Sequence, residues 1–411
     1  MGSERAMKLV HFGAGRIGRS FIGQLFSRAG WEVVFVDVDR RIIDELNRRK
    51  QYRVVVKDKE GGVIVVRNVR GVHADDLERV SEEIAGADLL STAVGKSALT
   101  MIAVPIARGI IRRHESSPER AVDIILCENM KDAALFFRDT VAEHLPEGFP
   151  IDSAAGFVET SIGKMVPLMS AEEREKDPLL VYAERYNTLI VDRNGFKNEV
   201  PVIPGLKPKS LMKAWVDRKL YIHNLGHAVL AYTSYALFPD YIYMWQAVSN
   251  EALRAVTKGA MWESGRALMA QYPHEFDTKS IGSHIDDLLE RFGNRALGDT
   301  VYRVGMDLYR KLGPDDRLIG GVKLCLKHHI RPDFISLGAA SAMFFRAAGE
   351  DGRMFERDRR FFEQELSRGI DHVLTHVCGL EDRETRRVVA SYYDSISKGG
   401  LDIERLAQNV C

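Results

Sequence analysis

Lys8-Leu9-Val10-His11-Phe12 runs without a break into Gly13-Ala14-Gly15-Arg16-Ile17-Gly18, and the reading of that join decides the fold. The first five residues are short, apolar and β-prone, while Ser20 to Arg28, beyond the glycines, carries the pattern of an amphipathic helix. Trp31 to Val36 is a second strand. Strand, glycine turn, helix and strand make a βαβ unit, whose parallel strands require a right-handed crossover. In Gly13-x-Gly15-x-x-Gly18 the first glycine permits the tight turn, the second lets the backbone approach a pyrophosphate, and the third lets the helix pack on the strand. Asp37 ends the second strand, where a carboxylate accepts hydrogen bonds from both ribose hydroxyls and repels a 2′-phosphate. The expected cofactor is therefore NAD, held by Gly13, Ala14, Gly15, Arg16, Ile17, Gly18 and Asp37; the opposing feature is Arg40-Arg41, which could neutralise the extra phosphate of NADP.

Outward from this unit the alternation continues. Asp88 to Val94 reads as a strand closing on Thr92-Ala93-Val94-Gly95, Ala98 to Ile111 as a helix, and Val122 to Cys127 as another strand. Gly156 to Val158 and Leu179 to Val191 read as further strands, the second ending at the turn signal Arg193-Asn194-Gly195. Pro201, Pro204, Gly205 and Pro208 then punctuate the chain, and Leu211 to Leu406 reads as helices with short breaks. The expectation is an α/β Rossmann-like domain over residues 1–203 and a mostly α-helical substrate domain over 204–411.

Size and composition agree with two domains. At 411 residues the chain exceeds the length at which one core stops growing. Hydrophobic residues are 45% and charged residues 28%, which excludes a disordered chain. Basic and acidic residues balance at 58 each, so net charge offers no reason to expect nucleic acid or a membrane surface as a partner. Cys127, Cys325, Cys378 and Cys411 are too far apart for a dense disulfide framework or a cysteine-pair zinc motif, which suits a reducing, cytoplasmic setting. No stretch approaches the apolar length of a membrane span, and Gly2-Ser3-Glu4-Arg5-Ala6 reads as a natural tail or an expression remnant.

The chemistry-bearing residues of the second half lie in Arg218-Lys219-Leu220-Tyr221-Ile222-His223-Asn224-Leu225-Gly226-His227. Lys219, Asn224 and His227 have the spacing K-x4-N-x2-H; on one α-helix His227 falls about 80° and Asn224 about 140° from Lys219, one broad face. A lysine desolvated beside a positively charged nicotinamide loses proton affinity and becomes a general base for an alcohol. Asn224 could donate to a developing alkoxide, and His227 could hold the lysine or a substrate hydroxyl. His223, one turn after Lys219, is a rival base, and each residue also has a purely structural reading. Downstream, Arg303 and Arg310 lie two turns apart on an expected helix, with Lys311 adjacent and Arg317 beyond Gly313-Pro314; such guanidinium forks would clamp a phosphate, and a solvated basic face is the alternative.

Together, the glycine turn, Asp37, Thr92-Ala93-Val94-Gly95, Cys127-Glu128-Asn129-Met130 and the Lys219-Asn224-His227 motif resemble the polyol-specific long-chain dehydrogenase family, and the similarity runs through nearly the whole chain. The resemblance implies a metal-independent oxidoreductase with the motif lysine as acid or base. It also implies Asn129 partnering Asn224 on the substrate oxygen, and Thr92, Ala93, Val94, Glu128 and Asn129 beside the cofactor. The implied reaction interconverts a sugar alcohol phosphate and a ketose phosphate, with an unphosphorylated polyol or sugar acid as the alternative and a non-catalytic NAD sensor as a remote one. A monomer or homodimer is expected. One position departs: Ile162-Gly163-Lys164-Met165-Val166-Pro167 carries Gly163 where the family has a substrate-facing aspartate, which alters the expected selectivity and makes Lys164 a further candidate cation.

Overall fold

Leu9 and His11 face one side of the opening strand and Val10 and Phe12 the other, and all four are buried, which is the signature of a strand covered on both faces. A computed structural model of the chain describes residues 6–167 and 169–408, so the first five residues and Cys411 lie outside the described part. Its strands are β1 (Lys8–Phe12), β2 (Glu32–Asp37), β3 (Gln51–Val56), β4 (Val63–Arg67), β5 (Val69–His73), β6 (Leu89–Thr92), β7 (Val122–Leu126), β8 (Ala155–Val158), β9 (Thr160–Ile162), β10 (Val181–Ala183), β11 (Leu189–Asp192) and β12 (Leu206–Lys209). β5-β2-β1-β6-β7-β8 form one sheet in that order, every pair parallel. The order reverses between β1 and β6, and the crevice outside their carboxyl ends is where open α/β sheets bind ligands.

Leu9, Val33, Phe35, Leu89 and Ile125 enter one core with Phe21, Ile22 and Phe26, whereas Val10, Phe12, Val34, Leu90 and Ile124 enter the other with Ile106, Ile110 and Phe137. Two small sheets, β10-β3-β4 and β12-β11-β9, complete this part. The expected strand over Leu179 to Val191 is in fact two: β10 pairs with β3, and β11 pairs with β9 and β12. Between the two, the Glu184 carboxylate accepts the Met165 amide at 2.5 Å and the Tyr186 carbonyl accepts from Lys164, so the connecting residues bond to the segment after β9.

The chain divides into two compact units, Met1–Val216 and Asp217–Cys411. The second is built of helices, among which Leu225–Leu237, Glu251–Gln271, Arg317–Lys327 and Asp333–Ala342 pack on one another. Gly226 lets the first of these cross the second closely, since a Cβ there would lie 2.6 Å from Met261 Sδ. The helix expected to carry Arg303 and Arg310 together does not exist as one piece. It breaks into Val301–Gly305 and Leu308–Lys311, with Asp307 left-handed at φ 78° between them. The break is held by buried Asp358, whose carboxylate accepts the Asp307 and Leu308 amides at 2.9 and 2.6 Å. No helix among the described residues is long and apolar enough to cross a membrane.

Candidate active site

In the N-terminal unit the glycine turn sits at the β1/β6 reversal, and its three glycines answer to different demands. Gly13 has φ 102°, its amide donates to the Val36 carbonyl at 2.8 Å, and a Cβ would lie 2.5 Å from the Ala93 carbonyl oxygen. A Cβ on Gly18 would fall 1.9 Å from the Gly13 carbonyl, so helix and turn touch there. Gly15 is different: its φ is not positive and a Cβ would meet nothing within 4 Å, so neither strain nor packing of the chain accounts for it. A residue kept small without an internal reason fits a dinucleotide whose pyrophosphate approaches from outside.

Around the turn, Asp37 accepts the Ala14 amide at 2.6 Å on one oxygen and the Asp39 amide at 2.9 Å on the other. It therefore braces the glycine loop, and a carboxylate with about four lone-pair sites keeps capacity for two ribose hydroxyls. Arg16 begins the helix and is exposed, with Ile17 half-buried behind it. Thr92 ends β6 and its carbonyl accepts from Cys127, while the Ala93 amide donates to the Phe12 carbonyl at 2.8 Å. Glu128 is buried, and its two oxygens take the Val94 and Gly95 amides at 2.9 and 2.8 Å. It ties the loop after β7 to the loop after β6. Asn129, next in sequence, is exposed at the sheet's carboxyl edge.

Sequence reasoning passed over His11, whose Nδ1 lies 2.6 Å from Ser91 Oγ beneath the glycine turn. Burial lowers its pKa to about 3. Lys164, by contrast, is spent within the unit. Its ammonium donates to the Glu184 and Tyr186 carbonyls and to Asn187 Oδ1 at 3.2, 2.8 and 3.0 Å.

In the C-terminal unit the motif helix is not regular. Lys219–Asn224 is a π-helical segment set between the α-helices Met212–Arg218 and Leu225–Leu237. With i→i+5 hydrogen bonding, Asn224 comes round nearer to Lys219 than the roughly 140° of a regular helix. Such wide turns often mark functional sites. Burial, reinforced by Arg317, lowers the Lys219 pKa to about 8. His223 is buried and held well below the usual imidazole value by desolvation, then by Arg291 and its histidine and lysine neighbours. The His227 ring stacks on Phe292 at 4.4 Å with 6° between planes, and its Nε2 lies 3.2 Å from Asp299 Oδ2 without the alignment of a good hydrogen bond.

The candidate cations do not form one clamp. Arg303 directs Nε to Asp299 Oδ1 at 2.5 Å and stays half-exposed. Arg310 pairs with Asp307 at 2.7 Å and lies 3.5 Å from Asp316. Lys311 is buried, donates to the Val304 and Met306 carbonyls, and is lowered to about 7 by burial, then by Arg317 and Arg310. Arg303 and Lys311 nevertheless act electrostatically on His227, as Arg317 does on Lys219, so positive charge gathers around the motif. Asp299 was missed from sequence, although its i,i+4 spacing to Arg303 was a signal for it. Among the described residues no group of three or more His, Cys, Asp or Glu is arranged to hold a metal ion.

Comparison with known proteins covers both units. The family model for the mannitol dehydrogenase Rossmann domain matches residues 7–205, and that for the mannitol dehydrogenase C-terminal domain matches 211–377. A mannitol-1-phosphate 5-dehydrogenase of Brevibacillus brevis is 38% identical over 341 residues, covering 82% of this chain and 86% of the relative. Among solved structures, a D-sorbitol dehydrogenase in substrate-free form superposes with TM-score 0.78 at 17% identity over 96% of this chain and 94% of its own. Pseudomonas fluorescens mannitol 2-dehydrogenase, in a ternary complex with NAD and D-mannitol, gives TM-score 0.70 at 14% identity over 99% and 94%. At those identities the structures bear on the fold.

Proposed function

This chain belongs to the mannitol dehydrogenase family, and we propose that it is an NAD-dependent oxidoreductase interconverting a sugar alcohol phosphate and its ketose phosphate, of the mannitol 1-phosphate and fructose 6-phosphate kind. NAD supplies the hydride acceptor or donor. The glycine turn, Asp37 and the loop pinned by Glu128 bind the dinucleotide; Lys219, Asn224 and Asn129 act on the substrate oxygen. The observation that carries this reading is the π turn that draws Asn224 toward Lys219, a lysine whose lowered proton affinity suits it to acid and base work alike.

In the oxidative direction the neutral Lys219 amine takes the hydroxyl proton, while amide N–H groups of Asn224 and Asn129 stabilise the alkoxide that develops. In the reductive direction the ammonium returns that proton to the carbonyl oxygen. No step requires a metal ion. His227 receives a substrate hydroxyl, and Arg303, half-exposed and acting electrostatically on His227, is the cation assigned to the phosphate. Lys164 has a structural role in this reading, because its donors are already used within the fold. We place the reaction in the cytoplasm, in a monomer or homodimer.

A second reading, a dehydrogenase of an unphosphorylated polyol or sugar acid, is favoured by the acidic partners that already hold Arg303 and Arg310. Replacing Lys219 tests the shared chemistry. K219A should lower kcat by at least about a hundredfold while NADH still binds. Retained turnover would overturn the assignment of the lysine.

A further inference from the structure

We propose that Asp299 is a positioning residue whose carboxylate sets His227 with one oxygen and Arg303 with the other, so that a single side chain fixes both the hydroxyl-binding imidazole and the anion-binding guanidinium. The inference rests on the proposed reaction and adds to it the group that aims two of its residues.

The backbone around Asp299 is anchored on both sides. Its carbonyl accepts from the Met244 amide at 2.9 Å, Val301 donates to the Ile242 carbonyl at 2.8 Å, and Tyr243 pairs with Thr300 in an antiparallel bridge. The carboxylate itself is only 8% exposed. Although burial pushes its pKa up, contact with His227 and Arg303 holds it below the usual carboxylate value, so it is a fixed negative charge.

The stack on Phe292 fixes the plane of the His227 ring but leaves two orientations related by a half-turn, which exchange Nε2 with Cε1 and Nδ1 with Cδ2. A carboxylate 3.2 Å from Nε2 selects one of them. It also selects the tautomer, because an anion there draws the ring proton to Nε2 and leaves Nδ1 a lone pair. Burial keeps the imidazole neutral, against the pull of Asp299. A neutral His227 with Nδ1 open as an acceptor is the form that receives a sugar hydroxyl. The 3.2 Å separation of Nε2 from the carboxylate is within hydrogen-bond range, and only the alignment falls short. The second oxygen takes Arg303 Nε at 2.5 Å, fixing the fork from one edge while half of that side chain stays exposed.

A double-mutant cycle tests this on the full-length enzyme, with D299N, H227A and the double variant assayed for NADH oxidation on a substrate the wild type turns over. D299N should lower kcat/KM by about a hundredfold through misplacement of His227. NADH affinity should change less than about twofold, and the step from H227A to the double variant should cost several-fold less than the step from wild type to D299N, the remainder being the share that acts through Arg303. Losses that multiply, or a D299N enzyme with wild-type kcat/KM, would overturn the proposal. Should D299N fail to fold, ¹⁵N NMR of histidine-labelled wild-type enzyme, with the His227 signal identified by its loss in H227A, gives an independent decision. The neutral Nε2–H tautomer is expected, and an Nδ1–H tautomer would refute it. If the wild type turns over no sugar, the proposed reaction fails while the NMR result still decides the role of Asp299.

Discussion

Single residues carry the cofactor half of the account, and they were the most legible part of the sequence. Glycine spacing and a terminal aspartate report backbone geometry directly, which is why Gly13, Gly18 and Asp37 stand where the pattern puts them. Gly15 and Gly18 separate binding from folding. G15A should melt with the wild type yet bind NADH about tenfold more weakly, a shift of ~1.4 kcal/mol. G18A should cost about 3 kcal/mol or more, because its Cβ would collide with the Gly13 carbonyl. Denaturant titration and fluorescence binding on the two variants check both halves. Lys219 should impose a direction on pH. Alcohol oxidation needs its neutral form, so kcat/KM should rise with pH through about 8, while ketose reduction, which needs the ammonium, should fall over the same range. Side chains whose role depends on distant partners were not legible. Nothing within a few residues of Lys164 announces the three acceptors that hold it, and Asp299 meets His227 across 72 positions of chain.

At the scale of elements, hydrophobic period located β1, β2, β6, β7 and β8 to within a few residues but passed over β3, β4 and β5 and could not foresee where a helix departs from regularity. A period of 3.6 cannot foresee the π segment Lys219–Asn224, nor the break that Asp358 imposes between Arg303 and Arg310, since both depend on packing remote in sequence. The loops after β6 and β7 depend on one carboxylate. E128A removes the acceptor of the Val94 and Gly95 amides and should cost about 3 kcal/mol, with weaker NADH binding. E128Q should also lose stability, because its amide nitrogen would face one of those N–H groups. Beneath the glycine turn, His11 is held neutral, with a folded pKa of about 3 against 6.5 when unfolded. Between those values the unfolded chain binds a proton that the folded chain does not, so stability falls as pH drops below 6.5. His11 should account for about 2 kcal/mol of the loss between pH 6.5 and 5. H11Q, which can still meet Ser91, should show a shallower decline in denaturation free energy across that window. An unchanged slope would show that His11 is not neutral.

For the whole molecule, the expectation of a parallel α/β unit followed by helices agrees with the structure and with family models that together span residues 7–377 with a short gap. Reaction class follows from that membership; substrate identity does not, because hydroxyl and phosphate recognition reside in a few side chains that vary on a common frame. In the proposed reaction the positions in question are Gly163, which brings no side chain where the resemblance implies an aspartate, and Arg303, already paired with Asp299. The most direct measurement is the rate of NADH consumption by the purified chain with fructose 6-phosphate, fructose, tagaturonate and fructuronate, each at matched concentration. The account predicts the highest kcat/KM with fructose 6-phosphate, reduced severely in R303A. Turnover confined to the unphosphorylated compounds would contradict it.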